Sequence, residues 1–289
     1  MSKLGSISVG NSNPVRIMGI LNLSPESFFK KSIATNKEMI AKRAREIEAQ
    51  GADFIDVGGM STAPYLKTTI PQKTESERIT RAIKIIQSIS NLPISVDTCR
   101  SGVAKCALEL GVEIINDISG LKYDKEMPRI VEKYDPSLVL CAFSKNLIKG
   151  NQIIQTRNLL RESIAIAKSA HISDNHIVVD PAIGFFRKKG KGKFFTRINS
   201  DWVKRDLLIL NNLHSIKLKH PLLVSVSRKS FIGNLLQIKN PNDRLYGSLA
   251  AESIAVLNGA DIIRTHNVQE TKQVIAIAQK LSHRFRKGL

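Results

Sequence analysis

The feature that most constrains this chain is an alternation. Short apolar runs are each followed by a longer stretch with the 3.6-residue periodicity of an amphipathic helix, and the pattern occurs eight times. The runs are Arg16–Asn22, Phe54–Val57, Ile94–Asp97, Glu113–Asp117, Ser137–Phe143, His176–Asp180, Leu222–Ser227 and Asp261–His266. They are nearly continuous in apolar residues, as strands covered on both faces must be, and such strands pair in parallel with helices as crossovers. Eight β-then-α units predict an α/β fold, a single (β/α)8 TIM barrel; a doubly wound open sheet is the alternative that the unit count disfavours. Within residues 37–51, Met39, Ile40, Ala44 and Ile47 share one helical face, and Gly51 stands where a left-handed cap belongs. The segments VAKCALELG (103–111) and IAVLNGA (254–260) end in the same way.

A chain of 289 residues suffices for one such barrel, and no Pro-, Gly- or Ser-rich linker divides it. The reading is an N-terminal segment (1–15), a barrel (16–285) and a basic tail (286–289). With 44 Lys and Arg against 25 Asp and Glu, the net charge of +19 favours anionic partners. The basic residues are scattered apart from 187–193 and 283–288, so the expected partners are small anionic molecules, with no nucleic acid and no membrane. Cys99, Cys106 and Cys141 are odd in number and form no C-x-x-C pair, which speaks against a disulfide framework or a zinc site and for a reducing compartment. The first residues lack an apolar signal region, and no run reaches the roughly 18 apolar residues of a membrane span; a cytoplasmic location is expected.

In a barrel of this kind the chemistry sits at the strand C-termini. Nearly every run ends on a polar residue: Asn22, Asp97, Asn116, Asp180, then Ser227, Arg228 and Lys229, then Arg264 and His266. Singly, each has an ordinary use: Asn22 or Asn116 as a helix cap, Asp97 as the partner of Arg100, the cations as solvated rim residues. Together they bring carboxylates, amides and cations to one mouth, which suits a hydrogen-bonding heterocycle with an anionic tail.

The segments MGILNLSPESF (18–28), DVGG (56–59), STAP (61–64), SVDT (95–98), IINDISG (114–120), DPAIGF (180–185), SVSRKSFIG (225–233) and GSLAAESIAVLNGADIIRTHNVQET (247–271) resemble, in order and spacing, the motifs of the dihydropteroate synthases. The resemblance runs from about Arg16 to about Leu281, and SRKSFIG with IIRTHNVQET carries most of its specificity. It implies that a dihydropterin, activated as its hydroxymethyl diphosphate, is joined to an arylamine with loss of pyrophosphate. It further implies Asp97 and Lys229 as catalytic residues. Asp97, Asn116, Asp180 and Lys229 would hold the pterin; Thr62, Arg264 and His266 the diphosphate; Thr62 and Ser230 the arylamine; and Asn22 a Mg²⁺ ion. Arg228 would brace the loop. A fixed carboxylate at Asp97 suits the positive charge that develops on the exocyclic carbon as the C–O bond breaks. Assembly as a homodimer through the helix at 246–259 is implied as well.

The chain departs from the family in its loops. Met60 and Ala63 stand where an acid and an arginine are usual, CAFSKN (141–146) replaces a Met-His-Met element, and FFKKS (28–32) replaces an acidic stretch. A long basic segment, 184–199, takes the place of a short Gly-Lys turn. Three readings follow. Some of Lys30, Lys31, Arg187, Lys188 and Lys189 replace the absent arginine with 4-aminobenzoate as the acceptor; or the acceptor is a larger anion, such as an arylamine bearing a sugar phosphate; or the barrel serves pterin binding or methyl transfer, against which Lys229, Arg264 and His266 argue.

Overall fold

Each apolar run becomes a strand of one sheet in the computed structural model, which describes residues 1–27, 29, 33–66 and 68–282. The strands are β1 (Arg16–Asn22), β2 (Phe54–Gly58), β3 (Ile94–Asp97), β4 (Ile114–Asp117), β5 (Ser137–Cys141), β6 (Ile177–Asp180), β7 (Leu223–Val224) and β8 (Ile262–Thr265). All pairings between neighbours are parallel, in the order β7-β8-β1-β2-β3-β4-β5-β6. A bridge between Val179 and Leu222, with the Val179 N–H donating to the Pro221 carbonyl at 2.9 Å, joins the ends and closes the barrel. The expected (β/α)8 architecture is present.

Ten α-helices lie among the described residues: α1 (Lys37–Ala49), α2 (Gln72–Gln87), α3 (Ser101–Leu108), α4 (Met127–Tyr134), α5 (Gln152–Ser169), α6 (Trp202–Asn211), α7 (Leu213–Ile216), α8 (Ser230–Leu235), α9 (Leu245–Leu257) and α10 (Val268–Leu281). The main core lies between them and the sheet. In α1 the buried residues are Ile40, Ala44 and Ile47, whereas Met39, assigned to the same face from the sequence, is 42% exposed. Met39 lies roughly 100° around the helix from Ile40, at the edge of the apolar stripe that Ile40, Ala44 and Ile47 form. Gly51, Gly111 and Gly259 all adopt positive φ just past their helices, as the cap reading required.

The N-terminal segment plugs one end of the barrel. Lys3–Leu4 pairs antiparallel with Ile7–Ser8, and Leu4 and Val9 pack on Met18, Phe54, Ile114, Val139, Val178, Leu223 and Ile262 at the starts of the strands. The Gly5 N–H donates to the Ser137 hydroxyl at 2.9 Å, which ties the hairpin to β5. With that end filled by apolar side chains, the barrel interior is covered there and opens toward the strand C-termini.

Two loops depart from the sequence expectation. The run 222–227 keeps ladder pairing only at Leu223–Val224, because the chain then turns into the mouth. Arg228 has φ of 60°, its N–H is taken by the Ser248 hydroxyl at 2.9 Å, and the Lys229 N–H closes a turn on the Val226 carbonyl. The basic segment after β6 is folded: Phe186–Arg187 pairs in parallel with Thr196–Arg197, and the Lys191 and Gly192 N–H groups donate to the Pro64 carbonyl. That clasp fastens the loop after β6 to the loop after β2. Lys30, Lys31 and the tail 286–289 lie outside the described residues.

Candidate active site

The strand register sets the floor of the site. Asp56 lies inside β2, fully buried, and its register partner on β3 is Ser95, whose hydroxyl donates to Asp56 Oδ1 at 2.6 Å. A carboxylate buried at this depth requires partners. Asn116 Nδ2 approaches both its oxygens at 3.4 Å, and Arg264, one strand beyond β1 on the other side, donates from Nε to Asp56 Oδ2 at 2.6 Å. Arg264 Nη2 then reaches Asp97 Oδ2 at the end of β3, 2.8 Å away. Nη1 takes part in neither bridge, and Arg264 lines the cavity above. Burial works against its charge, but the Asp56 and Asp97 carboxylates outweigh burial and hold the guanidinium firmly protonated.

For Asp97 the balance runs the other way. Burial pushes its carboxyl up to about 7 against the pull of Arg264, and Asp56 and Glu75 add to the rise. The expected alternative partner, Arg100, is instead committed to Glu75 at 2.8 Å, which also accepts from the Thr98 hydroxyl at 2.9 Å. This clamp fixes α2 against the end of β3.

Lys229 lines the cavity and interacts electrostatically with Asp180, which is buried at the end of β6. Burial draws the Lys229 ammonium down to about 8, with the Asp180 carboxylate opposing the fall. Asp180 is itself raised by burial, against the Ala182 N–H that donates to it at 2.7 Å. The Lys229 ammonium stands 3.9 Å over the Phe185 ring. Beside it Gly184 has φ of +87°, and a Cβ there would come 2.8 Å from Lys229 Cδ, so glycine makes room for the lysine stem.

His266 is buried and its pKa is pulled well below the ordinary range by burial and by Arg264, so it is neutral. Ser227 Oγ accepts from the His266 backbone N–H at 3.3 Å and lies 3.1 Å from Nδ1. That pair of contacts holds the imidazole ring in place against the loop after β7.

The cavity at the strand C-termini is lined by Asn22, Thr62, Asp97, Lys229, Ser230, Arg264 and His266 together with Ser27, Tyr65 and Phe185. Asn116 and Asp180 are buried in the strands beneath it. Of the loop cations proposed from sequence, Arg187 is buried and its Nη2 donates to Ser230 Oγ at 2.5 Å, whereas Lys188 and Lys189 are exposed. Arg228 donates to Asn267 Oδ1 and to the Pro241 and Asn242 carbonyls, in keeping with its expected bracing role. Cys99 is packed, its thiol pushed far up by burial, and is inert as expected. Sequence reasoning passed over Asp56. The available signal was an acid inside an otherwise apolar run, which needs a buried partner to exist at all.

No group of three or more His, Cys, Asp or Glu among the described residues could hold a metal unaided. Asn22, a neutral oxygen donor on the cavity wall, fits a hard ion that takes its other ligands from substrate and water. No helix among the described residues is long and apolar enough to cross a membrane.

Comparison with known proteins gives a consistent picture. The pterin binding enzyme family matches residues 18–266. A dihydropteroate synthase of Clostridium beijerinckii is 36% identical over 276 residues, covering 94% of this chain and 96% of its own. One of Bacillus subtilis is 31% identical over 276 residues, covering 94% and 89%. Among solved structures, a Clostridium difficile dihydropteroate synthase obtained in the presence of pteroic acid superposes with a TM-score of 0.82 at 30% identity, over 94% of this chain and 98% of that one. The Xanthomonas albilineans dihydropteroate synthase with 4-aminobenzoic acid gives a TM-score of 0.81 at 27% identity, over 93% and 94%.

Proposed function

Because this chain belongs to the dihydropteroate synthases of the pterin binding enzyme family, we propose that its barrel mouth joins 6-hydroxymethyl-7,8-dihydropterin diphosphate to 4-aminobenzoate. The amine lone pair forms the new C–N bond, the C–O bond to pyrophosphate breaks, and pyrophosphate departs with the bonding electrons. The amine then loses one proton to solvent or to the leaving group. Membership of this family sets aside the methyl-transfer alternative.

The observation that carries this reading is the convergence of a carboxylate–guanidinium floor, a lysine of lowered pKa and a serine on one cavity. Asp180 and Asn116 match the paired donors and the mixed edge of an aminopyrimidinone, and Lys229 donates to its oxo and ring-nitrogen acceptors. Arg264 Nη1 and the neutral His266 serve the diphosphate with Thr62. Ser230 and Thr62 serve the arylamine. Mg²⁺ would be held by Asn22 with diphosphate oxygens and water, and when bound it supplies charge neutralisation of the leaving group. Asp97 stabilises the cation that develops on the exocyclic carbon as pyrophosphate leaves.

The reading is tested by pyrophosphate release from the pterin diphosphate with Mg²⁺, offering 4-aminobenzoate, an arylamine bearing a sugar phosphate, or no amine. Release that depends on 4-aminobenzoate is expected; turnover with the phosphorylated amine alone reassigns the acceptor, and no release with any amine overturns the synthase reaction for this chain. A homodimer assembled through α9 and α10 completes the proposal.

A further inference from the structure

The loop after β2 brings Met60, Ser61, Thr62, Ala63, Pro64 and Tyr65 to the cavity, and none of these is a cation. Among the described residues the charged groups on its wall are Asp97, Lys229 and Arg264, and Arg264 is already bridged to two carboxylates. Among the described residues, an anionic substituent on the acceptor can draw positive potential from Lys229, which the reaction above assigns to the pterin, or from a cation behind the cavity wall. Ser230 has one at its back. Arg187 lies with its guanidinium 3.8 Å over the Trp202 ring; Nη1 donates to the Phe186 carbonyl at 2.9 Å and stands 3.6 Å from Asp206 Oδ2. Its Nη2 donates to Ser230 Oγ at 2.5 Å. Stacked, bridged and only 6% exposed, this guanidinium is held in place.

That contact decides which way the serine hydroxyl faces. The Ser230 oxygen accepts from Arg187, and among the described residues no acceptor takes its proton. A hydroxyl held as an acceptor by a cation on one side points its O–H away from that cation, here toward the cavity that Ser230 lines. Charge reinforces the polarity. Asp206, fully buried, faces Arg187 and also Arg205, whose Nη1 is 3.1 Å from Oδ1, so one carboxylate is set against two guanidiniums. Arg244, which lines a second depression together with Ser230, donates to the carbonyls of Arg228, Ile238 and Lys239 rather than to Ser230.

We propose that Arg187 is a positioning residue that makes Ser230 an obligate donor toward the acceptor subsite, and so selects arylamines with an anionic group opposite the amine. This inference rests on the reaction proposed above.

The test compares wild type with Arg187→Met and Arg187→Lys, using 4-aminobenzoate and the uncharged 4-methylaniline. The second amine is read by its KM or by its inhibition constant against the first. Arg187→Met is expected to raise the KM for 4-aminobenzoate about tenfold or more, since hydrogen bonds to charged groups are worth that much. The kcat and the KM for the pterin diphosphate should stay within about twofold, as should the constant for 4-methylaniline. Arg187→Lys should recover most of the loss. If Arg187→Met does not fold, Arg187→Lys in a Ser230→Ala background carries the test: its smaller KM effect should vanish when the hydroxyl is gone. An equal loss for both amines, or an unchanged KM for 4-aminobenzoate, overturns the inference. Wild-type enzyme inactive with 4-aminobenzoate overturns the reaction and the inference together, whereas active wild type with an indifferent Arg187→Met overturns the inference alone.

Discussion

Asp97 is the residue at which magnitude matters most. An unpaired carboxylate about 4 Å from a developing cation, at an effective dielectric near 20, is worth on the order of 4 kcal/mol, or roughly a thousandfold in rate. Arg264, 2.8 Å away, cancels part of that field. We therefore expect Asp97→Asn to lower kcat about a hundredfold while the dissociation constant of the pterin diphosphate changes less than about threefold; equal losses in both would make Asp97 a binding group instead. The pH profile offers a second check. Asp97 must be ionised and is raised to about 7, while Lys229 must be protonated and is lowered to about 8. kcat/KM should thus rise with pH through about 7 and fall through about 8, and Lys229→Arg, whose charge does not titrate in this range, should remove the alkaline limb from whatever activity remains. At this scale the sequence was informative where a polar residue stands at or just past the end of an apolar run, because in a parallel barrel that end borders the mouth: Asp97, Lys229 and Arg264 all line the cavity, whereas Asn116 and Asp180 are buried beneath it. Asp56 and Arg187 were not legible in this way. The first hides inside a run, and the second stands among basic neighbours whose spacing does not tell which one turns inward.

Buried charge joins secondary-structure elements here alongside apolar packing. In α6 the neighbours Arg205 and Asp206 look like solvated helix charges in the sequence, yet both are buried. Arg205 donates to the Thr156 hydroxyl at 3.0 Å, to the Pro181 carbonyl at 2.8 Å and to the Ala182 carbonyl at 3.3 Å, and it stacks 3.6 Å over the Phe186 ring. One side chain thereby ties α5, α6 and the loop after β6. Burial lowers its pKa to about 10, which leaves it charged at neutral pH. Removing one member of a buried charge pair costs about 3 to 5 kcal/mol, so Arg205→Met should lower the Tm by about 6 °C or more in a chain of this size. A shift under about 2 °C by calorimetry would mean that Arg187 alone satisfies Asp206. The eight strands were legible because seven of them have four or more paired residues in an apolar run. The terminal hairpin and the pair 186–187 with 196–197 were not, because two-residue strands carry no periodicity and are specified by tertiary contacts alone.

At the scale of the molecule, the exposed apolar residues are not spread evenly. On α9, Tyr246, Ile254 and Leu257 are 83%, 44% and 46% exposed, and with Ala250 they recur at the three- and four-residue steps of one helical stripe. On α10, which packs beside α9, Ile277 and Leu281 are 67% and 57% exposed and stand one turn apart. Monomeric soluble proteins rarely leave contiguous apolar patches beyond a few hundred Å² uncovered, and a closed twofold dimer covers such a patch with its own copy. The net charge of +19 opposes that association, so its strength should grow with salt, the opposite of what an interface built on ion pairs would do. Sedimentation at micromolar concentration should give a dimer whose dissociation constant falls between low salt and about 0.5 M. Tyr246→Glu with Leu257→Glu should yield a monomer that keeps the wild-type circular dichroism, because both side chains are substantially exposed on one protomer. The active site lies at the strand C-termini, within a single barrel, so the monomeric variant should still release pyrophosphate. A wild-type monomer at every salt concentration would leave the α9–α10 stripe without the partner argued for here, and a monomeric variant without activity would place part of the site's order in the partner subunit.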